Sequence, residues 1–298
     1  MCPNISVVIN TLNEEQNLPH ALGSVRSWAD EIVVVDMYSD DRTVEIAREF
    51  GAKVFLHERL GFADPARAYA NEQASGDWIL SLDADEMVPL PLSKELIRIA
   101  AAGTADVVRV PFSSYWFGTP LMHTGLGPRR EWHYRFFRKG YLEAVPTVHN
   151  NLHPKSGSRI TGIKYQPGLA ILHFAYLDSK DFLEKLDRYT DIEARQAVER
   201  GERVTFAGVA YRAIKELGSR YVKGAGFLDG WRGAYITLLY TFYRIVSAGK
   251  LYELDSLGGR AAIEARYCRE AECILKAYNC EPAASPDAVR DAYLDHAR

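Results

Sequence analysis

The chain has 298 residues, of which 47% are hydrophobic and 25% are charged, and its formal net charge is −3. This composition excludes a disordered or collagen-like chain, and the length suits one large domain or one domain with an appendage. No apolar run reaches the roughly 18–20 residues that a membrane-spanning helix needs. The four cysteines form no CxxC pair, so we expect reduced thiols in a cytoplasmic protein.

The first part of the chain alternates β-branched segments with amphipathic segments of helical length. The predicted strands are Ile5–Thr11, Glu31–Met37, Lys53–His57, Trp78–Ala84 and Asp106–Phe112. The predicted helices are Glu15–Ser27, Asp41–Phe50, Ala66–Ala74 and Leu92–Ala102. Near-continuous apolar strands separated by helices are typical of a parallel sheet covered on both faces. We therefore predict an α/β fold.

The remainder of the chain changes character twice. Residues Trp116–Phe174 are rich in Gly, Pro, Arg, His and aromatic residues, which indicates loops and antiparallel strands such as Tyr134–Arg138. From Leu177 onward the pattern is helical, with Ser179 as the expected N-cap of a helix that stops at Gly201. Further helices are predicted over Phe206–Val222, Trp231–Val246, Arg260–Tyr278 and Pro286–His296.

Polar side chains collect where the predicted strands end. In an open α/β sheet, ligands bind at the carboxyl ends of the strands. The first strand is followed by Asn13 and Glu14, and the second ends at Asp36 before Asp41. Asp41 and Glu14 could equally be first-turn helix charges. Asp36 ends a buried run, and this position favours a ligand role.

The stretch DWILSLDADEM, from Asp77 to Met87, ends a core strand on Asp83 and Asp85. Residues i and i+2 of a strand point to the same face, so the two carboxylates should lie side by side. Such a pair is repulsive unless a cation or a proton lies between them. Mg²⁺ and Mn²⁺ accept oxygen ligands of this kind and often share them with substrate phosphates. We therefore predict a Mg²⁺ or Mn²⁺ site that holds a diphosphate.

Three segments resemble the family 2 glycosyltransferases of the GT-A fold: ISVVINTLNEEQNL, ADEIVVVDMYSDDRTVEIAREFGAKV and EQASGDWILSLDADE. The similarity is strongest over Ile5–Val88, and RFFR, VHNN and ILHFAY extend it in weaker form. Within the family, the chain is similar to bacterial lipopolysaccharide-core β-1,4-glucosyltransferase-like enzymes. The resemblance implies a Rossmann-like GT-A domain over residues 1–176, with a nucleotide-sugar half (1–112) and an acceptor half (113–176). A C-terminal helical region (177–298) would follow it.

The resemblance also assigns residues to the donor site. Arg67 would reach the diphosphate, Asp36 would contact the base or ribose, and Asp83 and Asp85 match the metal motif. Asp41 keeps its family position although the family's Gly-Ser-Thr-Asp reads YSDD here. The residues expected at the donor nucleotide-sugar are Thr11, Asn13, Glu14, Asp36, Asp41, Arg67 and Asp83.

Inversion at the anomeric carbon needs a base that takes the acceptor proton. Glu131 precedes the RFFR segment and is the first candidate, although a salt bridge to Arg129 or Arg135 would explain it equally well. Asp64 is the second candidate. His173 is a candidate third metal ligand, since a GT-A enzyme can use a downstream histidine; a packed histidine is the competing interpretation.

The leading hypothesis is a metal-dependent inverting hexosyltransferase that moves a sugar from a nucleotide-sugar, expected to be UDP-linked, to a glycan or glycolipid in cell-envelope polysaccharide synthesis. The alternatives are a polyprenyl-phosphate glycosyltransferase, a nucleotidyltransferase and a catalytically silent sugar-nucleotide-binding protein. The nucleotidyltransferase would normally show a Gly-rich N-terminal signature, which is lacking. No nucleic-acid partner is expected, and homo-oligomerisation stays open.

Charge is unevenly distributed along the chain. Residues Arg200–Lys250 contain nine basic and three acidic residues. Within them, the run Ala234–Val246 is apolar and has basic residues around it. This pattern suits a helix lying at an anionic membrane surface on the cytoplasmic side, and it suits a helix packed in protein or in a dimer equally well.

Overall fold

The strands and helices of the first part of the chain alternate as the sequence predicts. The computed structural model describes residues 3–59, 64–143 and 153–279. The strands are β1 (Ile5–Thr11), β2 (Glu31–Asp36), β3 (Lys53–Leu56), β4 (Trp78–Asp83), β5 (Glu86–Met87), β6 (Val107–Trp116), β7 (Thr119–Pro120), β8 (Trp132–Arg138), β9 (Leu142–Glu143), β10 (His153–Pro154), β11 (Ile160–Gly162) and β12 (Ile171–Tyr176). The helices are α1 (Leu18–Val25), α2 (Thr43–Glu49), α3 (Asp64–Gln73), α4 (Leu90–Ala102), α5 (Ser179–Glu199), α6 (Phe206–Leu217), α7 (Gly230–Asp255) and α8 (Gly259–Asn279).

The main sheet is mixed and has the strand order β3-β2-β1-β4-β8-β6-β12-β5. Strands β3, β2, β1 and β4 are parallel, whereas β8 is antiparallel to both β4 and β6. The side chains of β1 alternate between two cores because successive strand residues point to opposite faces. Val7 and Ile9 pack with Leu22 of α1, while Val8 packs with Ala70 of α3. The carboxyl ends of β1, β2 and β4 therefore meet at one edge of the sheet.

Two local predictions are wrong. Strand β4 ends at Asp83, and Asp85 lies in the turn that leads to β5, so the two carboxylates do not share a strand face. Helix α5 is capped by Asp178 and not by Ser179, because the Asp178 side chain accepts the backbone N–H of Asp181 at 2.8 Å. The predicted helix Pro286–His296 lies outside the described residues.

The C-terminal helices are attached to the sheet through an aromatic cluster. Trp116 at the end of β6 contacts Phe182 of α5 and Tyr240 of α7, and Ile236 of α7 is fully buried beside them. Helix α7 lies between α5 and α6. It contains the apolar run that the sequence places either at a membrane or in protein, and its inner face is packed in protein.

A π-helical segment (Gly218–Lys223) follows α6, and a 3-10 turn (Gly226–Asp229) precedes α7. None of the described helices combines the length and the apolar character needed to cross a bilayer.

Candidate active site

A pocket of about 410 Å³ opens at the carboxyl ends of β1 and β4, between the turn after β4, strand β12 and helix α5. Its lining comes from seven parts of the chain. The residues that line it are Asn10, Leu12, Glu14, Met37, Arg59, Arg67, Asp83, Ala84, Asp85, His173, Ala175, Tyr176, Lys185, Arg188 and Tyr189. Five of the residues singled out from the sequence, Glu14, Arg67, Asp83, Asp85 and His173, are therefore brought together here.

Asp83 is held by two arginines. Arg67 of α3 donates from Nη2 to both carboxylate oxygens, at 2.7 Å and 2.5 Å. Arg135 of β8 donates to Asp83 Oδ2 at 3.0 Å and to Glu86 Oε1 at 2.9 Å. Burial alone would raise the pKa of Asp83, but the two guanidinium groups hold it well below its usual range. Asp83 is therefore an ionised anchor for both arginines.

Asp85 faces His173 across the antiparallel pair of β5 and β12, where Glu86 is the register partner of His173. The distance from Asp85 Oδ2 to His173 Nε2 is 3.6 Å. Burial by itself would lower the pKa of His173, but the nearby carboxylates, Asp85 above all, raise it to about 9. Asp85 and His173 therefore form an ion pair at the pocket wall.

Glu86 is buried beside this pair. Its Oε2 accepts the backbone N–H of Asp83 at 2.9 Å, which closes the turn between β4 and β5. Burial raises the pKa of Glu86 to about 7, since its one guanidinium partner, Arg135, is shared with Asp83. Glu86 fixes the position from which Asp85 points into the pocket.

The loop after β2 is built around Asp36. Its carboxylate is fully buried and accepts hydrogen bonds from Thr11 Oγ1 at 3.0 Å, Ser39 N at 2.8 Å and Ser39 Oγ at 2.5 Å. Asn13, in the left-handed region at φ 56°, accepts the Asp40 N–H at 2.8 Å. Thr11, Asn13 and Asp36 therefore join the loops after β1 and β2, and none of the three lines the pocket.

Asp41 occupies the start of α2. It accepts the backbone N–H of Thr43 at 3.0 Å, the hydroxyl of the same residue, and the N–H of Glu15 at 3.1 Å. The pKa of Asp41 is lowered because these hydrogen bonds outweigh its burial. In this position the carboxylate acts as a brace between α2 and the loop after β1.

Glu14 and Asn10 are the polar residues from the β1 side that reach the pocket, next to Leu12. Burial raises the pKa of Glu14 to about 7, against the hydrogen bond that Asn17 donates to it. The Asn10 amide is buried, and neither its nitrogen nor its oxygen has a hydrogen-bond partner among the described residues. Buried polar atoms are nearly always paired, so this amide is available to a ligand or water in the pocket.

Glu131 precedes β8 and lies next to the histidine side of the pocket. Ser114 donates its hydroxyl to Glu131 Oε2 at 2.9 Å, and Ser114 is the β6 partner of His173. His133 Nε2 is 3.8 Å from Glu131 Oε1. Neither Arg129 nor Arg135 forms an ion pair with Glu131 in the described structure, where Arg135 is paired with Asp83 and Glu86. Asp64 is the first residue of α3, and its side chain lies outside the described part of the chain.

Several pocket residues were not predicted from the sequence. Lys185, Arg188 and Tyr189 come from α5, and Arg59 follows β3. The spacing of Lys185 and Arg188 at i and i+3 on one helix is the signal that could have paired them. Nothing in the sequence indicates that α5 folds back over the ends of β1 and β4.

Comparison with known proteins identifies the class. The sequence model described as "Glycosyl transferase family 2" matches residues 6–163, which is more than half of the chain. The chain belongs to this family, and its sheet and flanking helices form the family's GT-A fold with a C-terminal helical region. The predicted family and enzyme class are confirmed.

Full-length relatives are similar over nearly the whole chain. An uncharacterized glycosyltransferase of Rickettsia typhi is 27% identical over 286 residues, covering 91% of this chain and 96% of that protein. The lipopolysaccharide core biosynthesis glycosyltransferase LpsC of Rhizobium meliloti is 26% identical over 268 residues, covering 87% and 96%.

Solved structures give weaker likenesses. S. aureus TarS is 15% identical with a TM-score of 0.45, covering 85% of this chain and 72% of that one. Glucosyl-3-phosphoglycerate synthase from Mycobacterium tuberculosis, solved with Mn²⁺ and UDP, is 25% identical with a TM-score of 0.32, covering 37% and 44%. The family assignment rests on the domain match and the full-length relatives.

Proposed function

We propose that this glycosyltransferase moves a sugar, with inversion at the anomeric carbon, from a UDP-sugar to a glycan or glycolipid acceptor of the bacterial cell envelope. The observation that carries the proposal is the meeting of Asp85 and His173 in a pocket that also contains Arg67, Lys185 and Arg188. Carboxylate, imidazole and several cations together suit a metal-bound diphosphate. The name of the relative LpsC supports a lipopolysaccharide-type acceptor.

Asp85 and His173 fit a divalent cation, which would displace the imidazole proton of His173 on binding, because a metal-ligating histidine is neutral. Two ligands that bind one Mg²⁺ at right angles lie roughly 3 Å apart, close to the observed 3.6 Å between Oδ2 and Nε2. The described residues contain no group of three or more acidic, histidine or cysteine side chains able to hold a metal. The remaining ligands would then be phosphate oxygens and water, as is usual for Mg²⁺. When bound, the ion supplies neutralisation of the charge that develops on the departing diphosphate.

Asp83 is also a predicted metal ligand, but its contacts support a role in positioning arginine side chains. Both of its oxygens accept hydrogen bonds from arginine side chains. We infer that Asp83 orients Arg67, which would exchange part of this contact for a phosphate oxygen of the donor. Lys185 and Arg188 would face the diphosphate from α5.

For the nucleotide, the predicted residues divide into two groups. Glu14, together with Asn10, lines the pocket and would contact the nucleotide directly. Thr11, Asn13, Asp36 and Asp41 hold the surrounding loops, so their contribution would be the shape of the base and ribose site. A fixed site lowers the entropy lost when the donor binds.

Glu131 is the proposed base. Its Oε2 accepts one hydroxyl hydrogen bond, and no arginine neutralises it among the described residues, so it keeps lone pairs for an acceptor hydroxyl. Ser114 would orient the carboxylate toward the pocket. Asp64, at the start of α3, is the second candidate for this role.

The proposal is tested by measuring UDP release against a panel of sugar-nucleotides, with Mn²⁺ and with EDTA. We expect turnover with a UDP-sugar only when the divalent ion is present. Stabilisation of the folded protein by ADP- or GDP-linked donors and not by UDP would show that the base assignment is wrong. Equal turnover in EDTA would remove the metal from the reaction. We expect the enzyme to act at the cytoplasmic face of the inner membrane, where nucleotide-sugars and lipid-linked acceptors meet.

A further inference from the structure

Helix α6 exposes its apolar side chains and buries none of its residues. Phe206 at its first position is 90% exposed and Ile214 is 69% exposed. The same kind of exposure continues through the π-helical segment, the 3-10 turn and the start of α7. We call the surface formed by Phe206, Ile214, Leu217 and Val222 the α6 face; Leu228 and Trp231 are also exposed further along the chain.

A groove of about 410 Å³ runs along the α6 face between α6 and α7. Ile214, Leu217 and Val222 form one wall, and Leu238 of α7 forms the other. Its lining is almost wholly apolar. Soluble proteins seldom leave contiguous apolar surface of this kind in water, so a binding partner is expected to cover it.

Basic charges predominate around the α6 face, although Arg212 is 3.8 Å from Glu202, which precedes the helix. Between Thr205 and Leu228 the chain contains four basic residues, Arg212, Lys215, Arg220 and Lys223, and Glu216 is the one acidic residue. Glu216 is mostly buried between Arg220 and Arg244, where it pairs with both. The outward charge next to the apolar side chains is therefore basic.

We propose that the α6 face docks on the headgroup region of an anionic bilayer. An amphipathic helix with aromatic and aliphatic residues on one side and Lys and Arg at its border binds such surfaces by apolar burial combined with attraction to anionic lipid. A membrane-spanning role is not involved, since α6 has 12 residues.

The α6 face is joined to the loop that carries Glu131. Gly224 accepts the N–H of Thr124 at 2.9 Å, Lys223 accepts a hydrogen bond from Arg130 at 2.6 Å, and Asp229 accepts the N–H of His123 at 2.9 Å. Docking of the α6 face would thus hold the loop before Glu131 near the lipid surface. This placement suits an acceptor whose lipid stays in the bilayer. That consequence rests on the proposed function, but the docking of the α6 face does not depend on it.

Vesicle flotation tests the docking directly. At low salt, the wild-type protein should float with vesicles of phosphatidylcholine and phosphatidylglycerol and much less with phosphatidylcholine alone, and added salt should release it. The triple variant Phe206→Ser, Ile214→Ser, Val222→Ser should bind the anionic vesicles roughly tenfold or more weakly. The matched control Tyr267→Ser, Leu275→Ser removes comparably exposed side chains from α8 and should float like the wild type.

The charge contribution needs separate variants. Lys215→Glu with Lys223→Glu should weaken flotation while leaving the thermal midpoint and UDP-sugar affinity unchanged. Arg220 is unsuitable for this purpose because it is ion-paired with Glu216 and lies over the Tyr240 ring. Equal flotation with anionic and neutral vesicles, or flotation of the triple variant at the wild-type level, would overturn the proposal.

A second copy of the chain is the main competing occupant. Light scattering distinguishes this case. If the wild type is a dimer, the triple variant is a monomer, and neither protein floats with vesicles, then the α6 face is a dimer interface and membrane docking is excluded. Because flotation uses no sugar donor, failure of docking is distinguishable from failure of the proposed glycosyl transfer.

Discussion

The loop after β2 and the segment before β8 hold their carboxylates in different ways. Asp36 and Asp41 each accept three hydrogen bonds from backbone and hydroxyl groups of neighbouring loops. Glu131 accepts one hydroxyl at 2.9 Å, and His133 is 3.8 Å away. A carboxylate saturated with donors is fixed in position, whereas one with unused lone pairs can accept a further hydrogen bond. We therefore expect Asp36 and Asp41 to fix the shape of their loops and Glu131 to be free for contact with a substrate.

The largest effect is expected at Asp85. This carboxylate differs from both the saturated ones and Glu131, because it is paired with His173. Asp85→Ala should lower kcat by roughly 10²–10³-fold, since an electrostatic contact at the leaving group is lost. Calorimetry with UDP and Mn²⁺ should show loss of the metal-dependent part of binding. Asp77→Ala, at the exposed opposite end of β4, is the control. Unchanged metal-dependent affinity in the Asp85 variant would exclude Asp85 as a ligand.

Glu131→Gln tests the other half of the comparison, the segment before β8. We expect turnover to fall by roughly 10²-fold or more, because the base is lost, while UDP-sugar affinity stays at the wild-type value. Single-turnover kinetics and donor titration separate the two quantities. Glu143→Gln, which changes an exposed carboxylate of β9, should leave both unchanged. Near-normal turnover of Glu131→Gln would transfer the role to Asp64 or another group.

Glu31, at the other end of the sheet, is a saturated carboxylate with no contact to the pocket. Burial alone would raise its pKa, but hydrogen bonds from Lys53, Ser6 and Ser75 lower it to about 2. Since the folded-state pKa lies below the usual 4.5, this stabilisation is complete above about pH 4.5 and is lost as the pH falls toward 2.

Glu31→Gln should therefore lower the free energy of unfolding at neutral pH by about 1.5–3 kcal/mol, with kcat unchanged. It should also make stability less sensitive to acid, as urea unfolding at pH 7 and pH 3 would show. Glu45→Gln, on the exposed surface of α2, is the control. A Glu31 variant that loses as much stability between the two pH values as the wild type would contradict the assignment.

The gathering of polar residues at one edge of the sheet was predictable from the strand pattern. Polar residues follow β1, β2 and β4, and parallel strands bring their carboxyl ends to one edge whatever the details of the loops. The exact partners were not predictable: Asp41 and Asp36 bind neighbouring loops, and Asp83 binds Arg135, which is 52 residues away. Such choices depend on side-chain geometry that no spacing rule encodes.

The attachment of the C-terminal helices to the loop before β8 was less predictable, because its contacts join distant segments. His123 meets Asp229 across 106 residues, and Thr124 meets Gly224. The sequence singled out the run Ala234–Val246 as the candidate membrane segment, yet α7 has a packed inner face. Phe206, at the start of α6, is the most exposed large apolar residue of the described chain. An amphipathic pattern identifies an apolar face but not what covers it.

Arg188 connects the two regions, since α5 belongs to the predicted C-terminal helical region but lines the pocket at the ends of β1 and β4. If Arg188 contacts the diphosphate, Arg188→Ala should raise KM for the UDP-sugar by about tenfold, the loss expected for one charge-assisted hydrogen bond. Arg195→Ala, two turns further along α5 and exposed, removes the same charge outside the pocket and should leave KM unchanged. Added salt should weaken donor binding to the wild type more than to Arg188→Ala, because a partly exposed ion pair is screened. An unchanged KM would mean that α5 borders the pocket without contacting the donor, and that the donor is bound only by residues up to β12. A raised KM would instead make α5 part of the donor site. The boundary predicted at residue 176 would then separate two structural regions that bind the same substrate.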